Sequence, residues 1–143
     1  MDANAHKRII ILIAEDDDAD FKLAKRAFDK LQILNEVTRL HNGQELIDYL
    51  RGNPQERCVV LLDLNMPIKD GREALREIKA DAGLNHIPVI VMTTSKAEED
   101  VVRSYHLGAN AYIRKPVKHD EFVNAIAEFK RFWLDIVELP YTS

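Results

Sequence analysis

Short apolar segments alternate with amphipathic helical patterns along most of this chain, and this alternation constrains the fold more than any other feature. The first segment, Ile9 to Ala14, is a continuous apolar run rich in isoleucine, as expected of a strand buried on both faces. Further strand candidates lie at 37–40, 58–62, 88–92 and 111–113. Helical spacing is found at 16–31, 44–50, 72–80, 97–107 and 118–137. The alternation predicts an α/β fold, a parallel sheet with helices on both faces.

Composition narrows the class of protein. The chain has 143 residues, 46% of them hydrophobic, with a net charge of -4 and one cysteine. This length is typical of a single domain with a real core. We find no basic run that would indicate a nucleic-acid partner, and no apolar run long enough to span a membrane. A cytoplasmic protein without an internal disulfide is predicted.

Polar side chains follow the predicted strands at the points where the strands end. Glu15 and Asp16 come directly after the first strand, and Asp63 ends the third. Thr93 follows the fourth strand, and Lys115 follows the fifth. The carboxyl ends of parallel strands share one edge of the sheet, where ligands bind in folds of this class. We therefore expect three carboxylates, a hydroxyl and a lysine to converge there.

Crowded carboxylates need a counter-ion. Glu15, Asp16 and Asp63 would repel one another, and a hard divalent cation such as Mg2+, which prefers oxygen ligands, removes that repulsion. Three carboxylates with Mg2+ carry a charge of about -1, which a nearby lysine can offset. Such a site can accept a phosphoryl group, whose transfer depends mainly on positioning and charge neutralisation. The neighbouring Asp17 and Asp18 are interpreted instead as a helix cap and a first-turn charge.

Five segments, in this order and spacing, resemble the signature of the receiver domains of two-component response regulators. They are Glu15-Asp16, Leu62-Asp63-Leu64-Asn65-Met66-Pro67, Asp70-Gly71, Met92-Thr93-Thr94 and Arg114-Lys115-Pro116. The resemblance covers nearly the whole chain. It implies a flavodoxin-like (βα)5 doubly wound sheet with strand order 2-1-3-4-5.

The resemblance also implies roles for the residues at the strand ends. Asp63 would be the phosphoacceptor for the phosphohistidine of a sensor histidine kinase. Glu15 and Asp16 match the acidic pair that binds Mg2+ together with Asp63, and Asn65 would add its backbone carbonyl. The acidic pair here is Glu-Asp, where Asp-Asp is commoner in the family.

Three further positions match the part of the family's machinery that senses the phosphoryl group. Lys115 would pair with a phosphoryl oxygen, and Thr93 would donate a hydrogen bond to the phosphoryl group. Tyr112 matches the aromatic position that swings inward as Thr93 moves. The expected product is a phosphorylated switch, with at most slow autodephosphorylation, and not a turnover enzyme.

The end of the chain carries an apolar helical stripe. Phe122, Ile126, Phe129, Trp133 and Ile136 follow one another at intervals of three or four residues. The first three are expected in the core, whereas large apolar residues beyond them should not stay exposed on a monomer. We predict a homodimer through this region, with Phe129, Phe132, Trp133 and Ile136 at the interface.

The same aromatic tail, with Trp133-Leu134 and Leu139-Pro140, resembles the single-domain regulators that partner bacterial and cyanobacterial phytochromes. The resemblance implies a phytochrome as the candidate kinase. We predict one receiver domain over 1–143, with a core over about 7–131 and a helical extension and tail over about 132–143. Too few residues follow Pro116 for an output domain, so a stand-alone regulator that signals by protein contact or onward phosphotransfer is expected.

Three other functions are less consistent with these residues. A Mg2+-dependent phosphatase with an aspartate nucleophile commonly has an acid two residues after it, where this chain has Asn65. A flavodoxin would need a phosphate-binding loop after the first strand, where Glu15 to Asp18 would repel phosphate. A pseudo-receiver that binds partners without phosphorylation is disfavoured by the intact Asp63, Thr93 and Lys115.

Overall fold

A five-stranded parallel sheet forms the centre of the structure, a computed structural model that describes residues 9–93, 108–109, 111–114 and 119–131, with backbone only for 93, 111, 112, 114, 119 and 129. The strands are β1 (Ile10–Ala14), β2 (Val37–Leu40), β3 (Cys58–Asp63), β4 (Val89–Thr93) and β5 (Ala111–Arg114). Their order across the sheet is β2-β1-β3-β4-β5, and every pairing is parallel. The predicted strand order and all five predicted strands are confirmed, each to within a residue at either end.

Four helices accompany the sheet in the described part of the chain. They are α1 (Asp18–Lys30), α2 (Gly43–Gly52), α3 (Gly71–Ala80) and α4 (His119–Phe129), the last followed by a π-helical turn at 130–131. The first three confirm the predicted helices, with shifted ends. The predicted helix at 97–107, and the predicted extension of the last helix beyond 131, lie outside the described residues.

Side-chain caps determine where the first three helices begin. The Asp17, Asn42 and Asp70 side chains each accept a hydrogen bond from the backbone N–H three residues on, at 2.9, 2.8 and 3.0 Å. Each thereby satisfies one of the amide groups that a helix start leaves without a partner. The predicted roles of Asp17 as a cap and Asp18 as a first-turn charge are confirmed.

The sheet is buried on both faces, as the continuous apolar runs predicted. Alternate residues of β1 and β3 point to opposite sides, as their backbone geometry requires. One face packs against α2 and α3, in a cluster that includes Leu12, Leu62, Leu46, Leu75 and Ile78. The other packs against α1 and α4, in a cluster that includes Ile13, Leu61, Phe28, Phe122 and Ile126. The predicted core positions of Phe122 and Ile126 are confirmed.

The single cysteine lies at the start of the central strand β3. Cys58 is 3% exposed, and burial is the main cause that raises the pKa of its thiol to about 11. The reactive thiolate is therefore scarce at neutral pH. This agrees with the interpretation of Cys58 as unreactive packing.

Across the described ranges, no helix has the length and apolar character needed to cross a membrane.

Two glycines let the loop after β3 pack tightly. A Cβ added at Gly71 would lie 2.3 Å from the Asp63 carbonyl oxygen and 2.6 Å from the Leu64 Cα. A Cβ added at Gly43 would lie 2.3 Å from the Lys69 carbonyl oxygen, which accepts the Gly43 N–H at 2.8 Å. These neighbours are backbone atoms, so no side-chain rotation can make room. The loop that follows Asp63 is therefore held between the sheet and the start of α2.

Gly71→Ala should destabilise the fold by about 2 kcal/mol or more, because the added methyl forces backbone atoms apart beside Asp63. Gly52→Ala is the matched control, since a Cβ there meets nothing within 4 Å. At the end of α2 this control should be neutral or stabilise by up to ~1 kcal/mol. Urea unfolding monitored by circular dichroism measures both. Equal stability of the two variants would contradict the close packing at Gly71.

Candidate metal and phosphoacceptor site

Three carboxylates meet at the carboxyl edge of the sheet, where β1 and β3 lie side by side. Oxygen atoms of Glu15, Asp16 and Asp63 all lie within 4.8 Å of one another. Glu15 is 1% exposed and Asp63 is 4% exposed, whereas Asp16 is exposed. The structure thus brings together the acidic residues that the sequence predicted to converge.

Asp63 is placed by the central strand. Asp63 is the last residue of β3 and pairs with Met92 of β4, whose carbonyl accepts the Leu64 N–H at 3.0 Å. One carboxylate oxygen of Asp63 accepts the Asn65 N–H at 3.1 Å. This bond holds the carboxylate in one orientation at the mouth of the site. Asn65 itself is exposed, as expected of a residue in the loop after the strand.

Glu15 is placed by the loop after β1. Its backbone N–H continues the ladder to β2 by donating to the Leu40 carbonyl at 2.9 Å. Its carboxylate accepts the Asp17 N–H at 3.2 Å, so the side chain is turned back towards the start of α1. Asp16 lies between Glu15 and Asp17 in the chain, and its exposed carboxylate lies near those of Glu15 and Asp63.

The spacing of these oxygens suits a small divalent cation. An octahedral ion with metal–oxygen distances of about 2.1 Å places its ligands roughly 3 to 4.2 Å apart. Oxygens within 4.8 Å of one another need only a small contraction to reach that range. Carboxylates are the hard donors that such ions prefer. The donor set therefore fits a divalent metal, with room left for water and for a fourth protein ligand.

An arginine on β2 contacts the acidic loop, which runs from Glu15 after β1 to Asp18 at the start of α1, and this contact was not predicted from the sequence. The Arg39 Nε donates to the Glu15 backbone carbonyl at 3.0 Å, and its Nη1 lies 2.7 Å from an Asp18 carboxylate oxygen. The hydrogen bond and the charge of Arg39 hold the pKa of the Asp18 carboxyl below its usual value. A charged residue in a short strand is usually solvated. The contact of Arg39 with Glu15 becomes visible only from the register of β1 against β2.

The remaining predicted site residues are placed in part. Thr93 ends β4 one residue beyond Met92, and Tyr112 lies on β5 opposite Val91, but their side chains are not among the described atoms. Phe129 ends α4, again with backbone only. Four predicted residues lie outside the described residues: Lys115, Phe132, Trp133 and Ile136.

The fold and its cluster of three carboxylates have a counterpart in one protein family. The family model of the response regulator receiver domain matches residues 11–127, and the chain belongs to this family. It is a response regulator receiver of the type that is phosphorylated on an aspartate in two-component signalling. The family resemblance inferred from the five sequence segments is confirmed.

Two curated relatives are similar to this chain over most of its length. It is 38% identical to response regulator Rcp1 of Synechocystis over 136 residues, covering 92% of each chain. It is 37% identical to the probable methanogenesis regulatory protein FilR2 of Methanothrix harundinacea over 134 residues, covering 91% of this chain and 86% of the relative.

Solved structures of such relatives share the fold. The phosphorylated cyanobacterial phytochrome response regulator RcpA superposes with a TM-score of 0.84 at 38% identity, covering 93% of this chain and 99% of that one. The Mn2+-bound form of Rcp1 superposes with a TM-score of 0.82 at 37% identity, covering 92% and 99%. The flavodoxin-like receiver fold is thereby established, and receiver domains of this kind bind a divalent metal.

A divalent metal ion, supplied as Mg2+, should stabilise the folded protein against heat, because it would bind the native carboxylates and relieve their repulsion. At a concentration a hundred times its dissociation constant the gain is about 2.7 kcal/mol. Asp63→Asn should raise the stability of the metal-free protein, by about 1 to 3 kcal/mol, and should lose most of the Mg2+ response.

Thermal unfolding in EDTA and in Mg2+ measures both effects, with sodium chloride at matched ionic strength as the control for screening. A wild-type unfolding temperature that is the same in both solutions would contradict the metal site.

Proposed function

We propose that this protein is a signalling switch whose Asp63 accepts a phosphoryl group from a sensor histidine kinase in a Mg2+-dependent reaction. The observation that carries the proposal is the convergence of Glu15, Asp16 and Asp63 at the carboxyl edge of the sheet. The Mn2+-bound form of the relative Rcp1 supports a divalent ion at such a site. Mg2+ itself is proposed from the hard oxygen donors and the preferred geometry of that ion.

Asp63 is the carboxylate best placed to act as the nucleophile. It ends the central strand, and the Asn65 N–H fixes one of its oxygens. Glu15 follows β1, accepts the Asp17 N–H at the start of α1, and is proposed as a metal ligand. Transfer forms an oxygen–phosphorus bond at Asp63 while the nitrogen–phosphorus bond of the kinase phosphohistidine breaks. Glu15, Asp16, Asp63 and the Asn65 backbone carbonyl would hold the metal, which would supply charge neutralisation for the transferred group.

Three further residues are proposed to respond when Asp63 is phosphorylated. Lys115 would pair with a phosphoryl oxygen, Thr93 would donate its hydroxyl to the same group, and Tyr112 would follow the movement of Thr93. The positions of Thr93 at the end of β4 and Tyr112 on the adjacent β5 support this coupling. The signal would then be a changed surface on the β4–β5 side of the sheet, to which a partner protein binds.

The kinase is proposed to be a phytochrome. The support is the likeness to Rcp1 and to the phytochrome response regulator RcpA.

The proposed domain is a single receiver over 1–143 with a core over about 7–131. A cytoplasmic location remains a prediction from the sequence.

Asp63→Asn should reduce labelling by a phosphorylated histidine kinase, or by acetyl phosphate, to background. The amide lacks the charged oxygen that attacks phosphorus, while its similar shape preserves the fold. Asp48→Asn is the matched control, since Asp48 is exposed on α2 and bonded only locally to Gln44 among the contacts seen. Phosphate-affinity electrophoresis measures the modified fraction. Undiminished labelling of the Asp63 variant, or labelling that survives EDTA, would overturn the proposal.

We also propose a homodimer formed through Phe129, Phe132, Trp133 and Ile136. The supporting feature is the apolar stripe, whose earlier members Phe122 and Ile126 are already buried in the core. Each large apolar side chain buried at an interface contributes about 1.5 to 3 kcal/mol. A symmetric pair uses one self-complementary patch twice, which makes it the simplest assembly.

Truncation after Lys130 should convert a dimer into a monomer. The cut preserves the Lys130 Nζ donation to the Leu31 carbonyl at 3.1 Å and the buried contacts of α4, so the receiver should remain folded. Trp133→Glu in the full chain should have the same effect without shortening it. Light scattering at micromolar concentration measures the mass. A monomeric intact chain would remove the dimer and leave the phosphoryl chemistry untouched.

A further inference from the structure

Within the described part of the chain, Arg39 makes three contacts from the β2 side of the sheet edge. Its Nε donates to the Glu15 carbonyl at 3.0 Å, and its Nη1 pairs with Asp18 at 2.7 Å. Its guanidinium carbon lies 4.8 Å from the centroid of the Phe21 ring, on the first turns of α1. The Arg39 side chain is 17% exposed and the Asp18 side chain is 78% exposed, so the bond to the Glu15 carbonyl is the better shielded of the two polar contacts. A planar guanidinium with several fixed donors is suited to holding two acceptors at once.

The two acceptors are the two ends of the acidic loop. Glu15 is the first residue after β1, and Asp18 is the first residue of α1. Arg39 therefore fastens the loop at both ends, while Asp16 lies between them and carries the exposed carboxylate of the metal site. Arg39 pairs with Ile13 in the ladder between β2 and β1, and this register places the Arg39 side chain beside the loop that follows β1.

We propose that Arg39 is a positioning residue for the divalent metal site, holding the backbone of the acidic loop so that Glu15 and Asp16 present their carboxylates beside Asp63. The inference rests on the metal site proposed above. Groups that orient metal ligands without touching the metal typically change metal affinity by about 10- to 100-fold when removed.

The sign of the effect separates positioning from simple electrostatics. Arg39 carries a positive charge close to a site for a cation, so its charge alone weakens cation binding. If charge were its only influence, removing it would tighten metal binding. If it positions the loop, removing it weakens binding, because the loop must then be ordered at the moment the metal binds.

The test measures Mn2+ binding alone, by the loss of the electron paramagnetic resonance signal of free Mn2+, with no phosphoryl donor present. Arg39→Met keeps the unbranched stem and removes the guanidinium, and affinity should fall roughly 10-fold. Arg39→Lys keeps the charge but cannot hold both acceptors in the same geometry, and it should fall nearly as far. Phe21→Leu changes no charge and should weaken binding about 2- to 3-fold by loosening the guanidinium.

Arg26→Met is the control, because Arg26 is exposed on α1 and its loss removes one positive charge while leaving the loop contacts intact. Its affinity should be unchanged or slightly higher. Circular dichroism of each variant confirms folding, and if Arg39→Met does not fold, Arg39→Lys carries the test. A role in stability alone would lower the urea midpoint and leave Mn2+ affinity unchanged.

Wild-type affinity in Arg39→Lys, or wild-type or tighter affinity in Arg39→Met, would overturn the positioning role. An equal loss in Arg26→Met would also overturn it. Absence of Mn2+ binding by the wild-type protein would be a different failure, because it would remove the proposed metal site together with the inference.

Discussion

The enforced proximity of negative charges at one edge of the sheet is the constraint around which this structure is arranged. Glu15 and Asp63 are almost fully buried at the ends of neighbouring central strands, with oxygens no more than 4.8 Å apart in the cluster. Two unit charges at that distance repel by about 3 kcal/mol at an effective dielectric of about 20. The burial of the apolar strands provides the free energy that holds them there. The proposed divalent ion would then bind to charges that were already assembled during folding.

The surroundings of the carboxylates limit their freedom to move apart. A backbone N–H fixes an oxygen of Asp63, another fixes Glu15, and the close approach at Gly71 prevents the loop after β3 from shifting. These are mostly backbone contacts, which do not depend on flexible side chains. Arg39 is the exception, since a side chain from another strand holds the loop after β1.

Much of the fold was predictable because buried parallel strands have a simple signature, a continuous apolar run ended by a polar residue. The same signature located Asp63 and the acidic pair, since each of them stands where an apolar run stops in the sequence. Strand order came from the resemblance to receiver domains and not from periodicity, which does not specify neighbours. Arg39 was missed because its reach across to Glu15 depends on the register of two strands and on a long side chain. Neither is encoded in a local pattern.

The position of Cys58 gives the protein a natural reporter. The residue starts the strand that Asp63 ends, so the two lie roughly 17 Å apart along one continuous backbone segment. A thiol reagent can reach this buried side chain only when the sheet opens locally, and its rate of reaction therefore counts such openings. The sequence contains no second cysteine to confuse the signal. Labelling rates with and without ligand at the far end would show how far rigidity spreads through the central strand, using the wild-type chain.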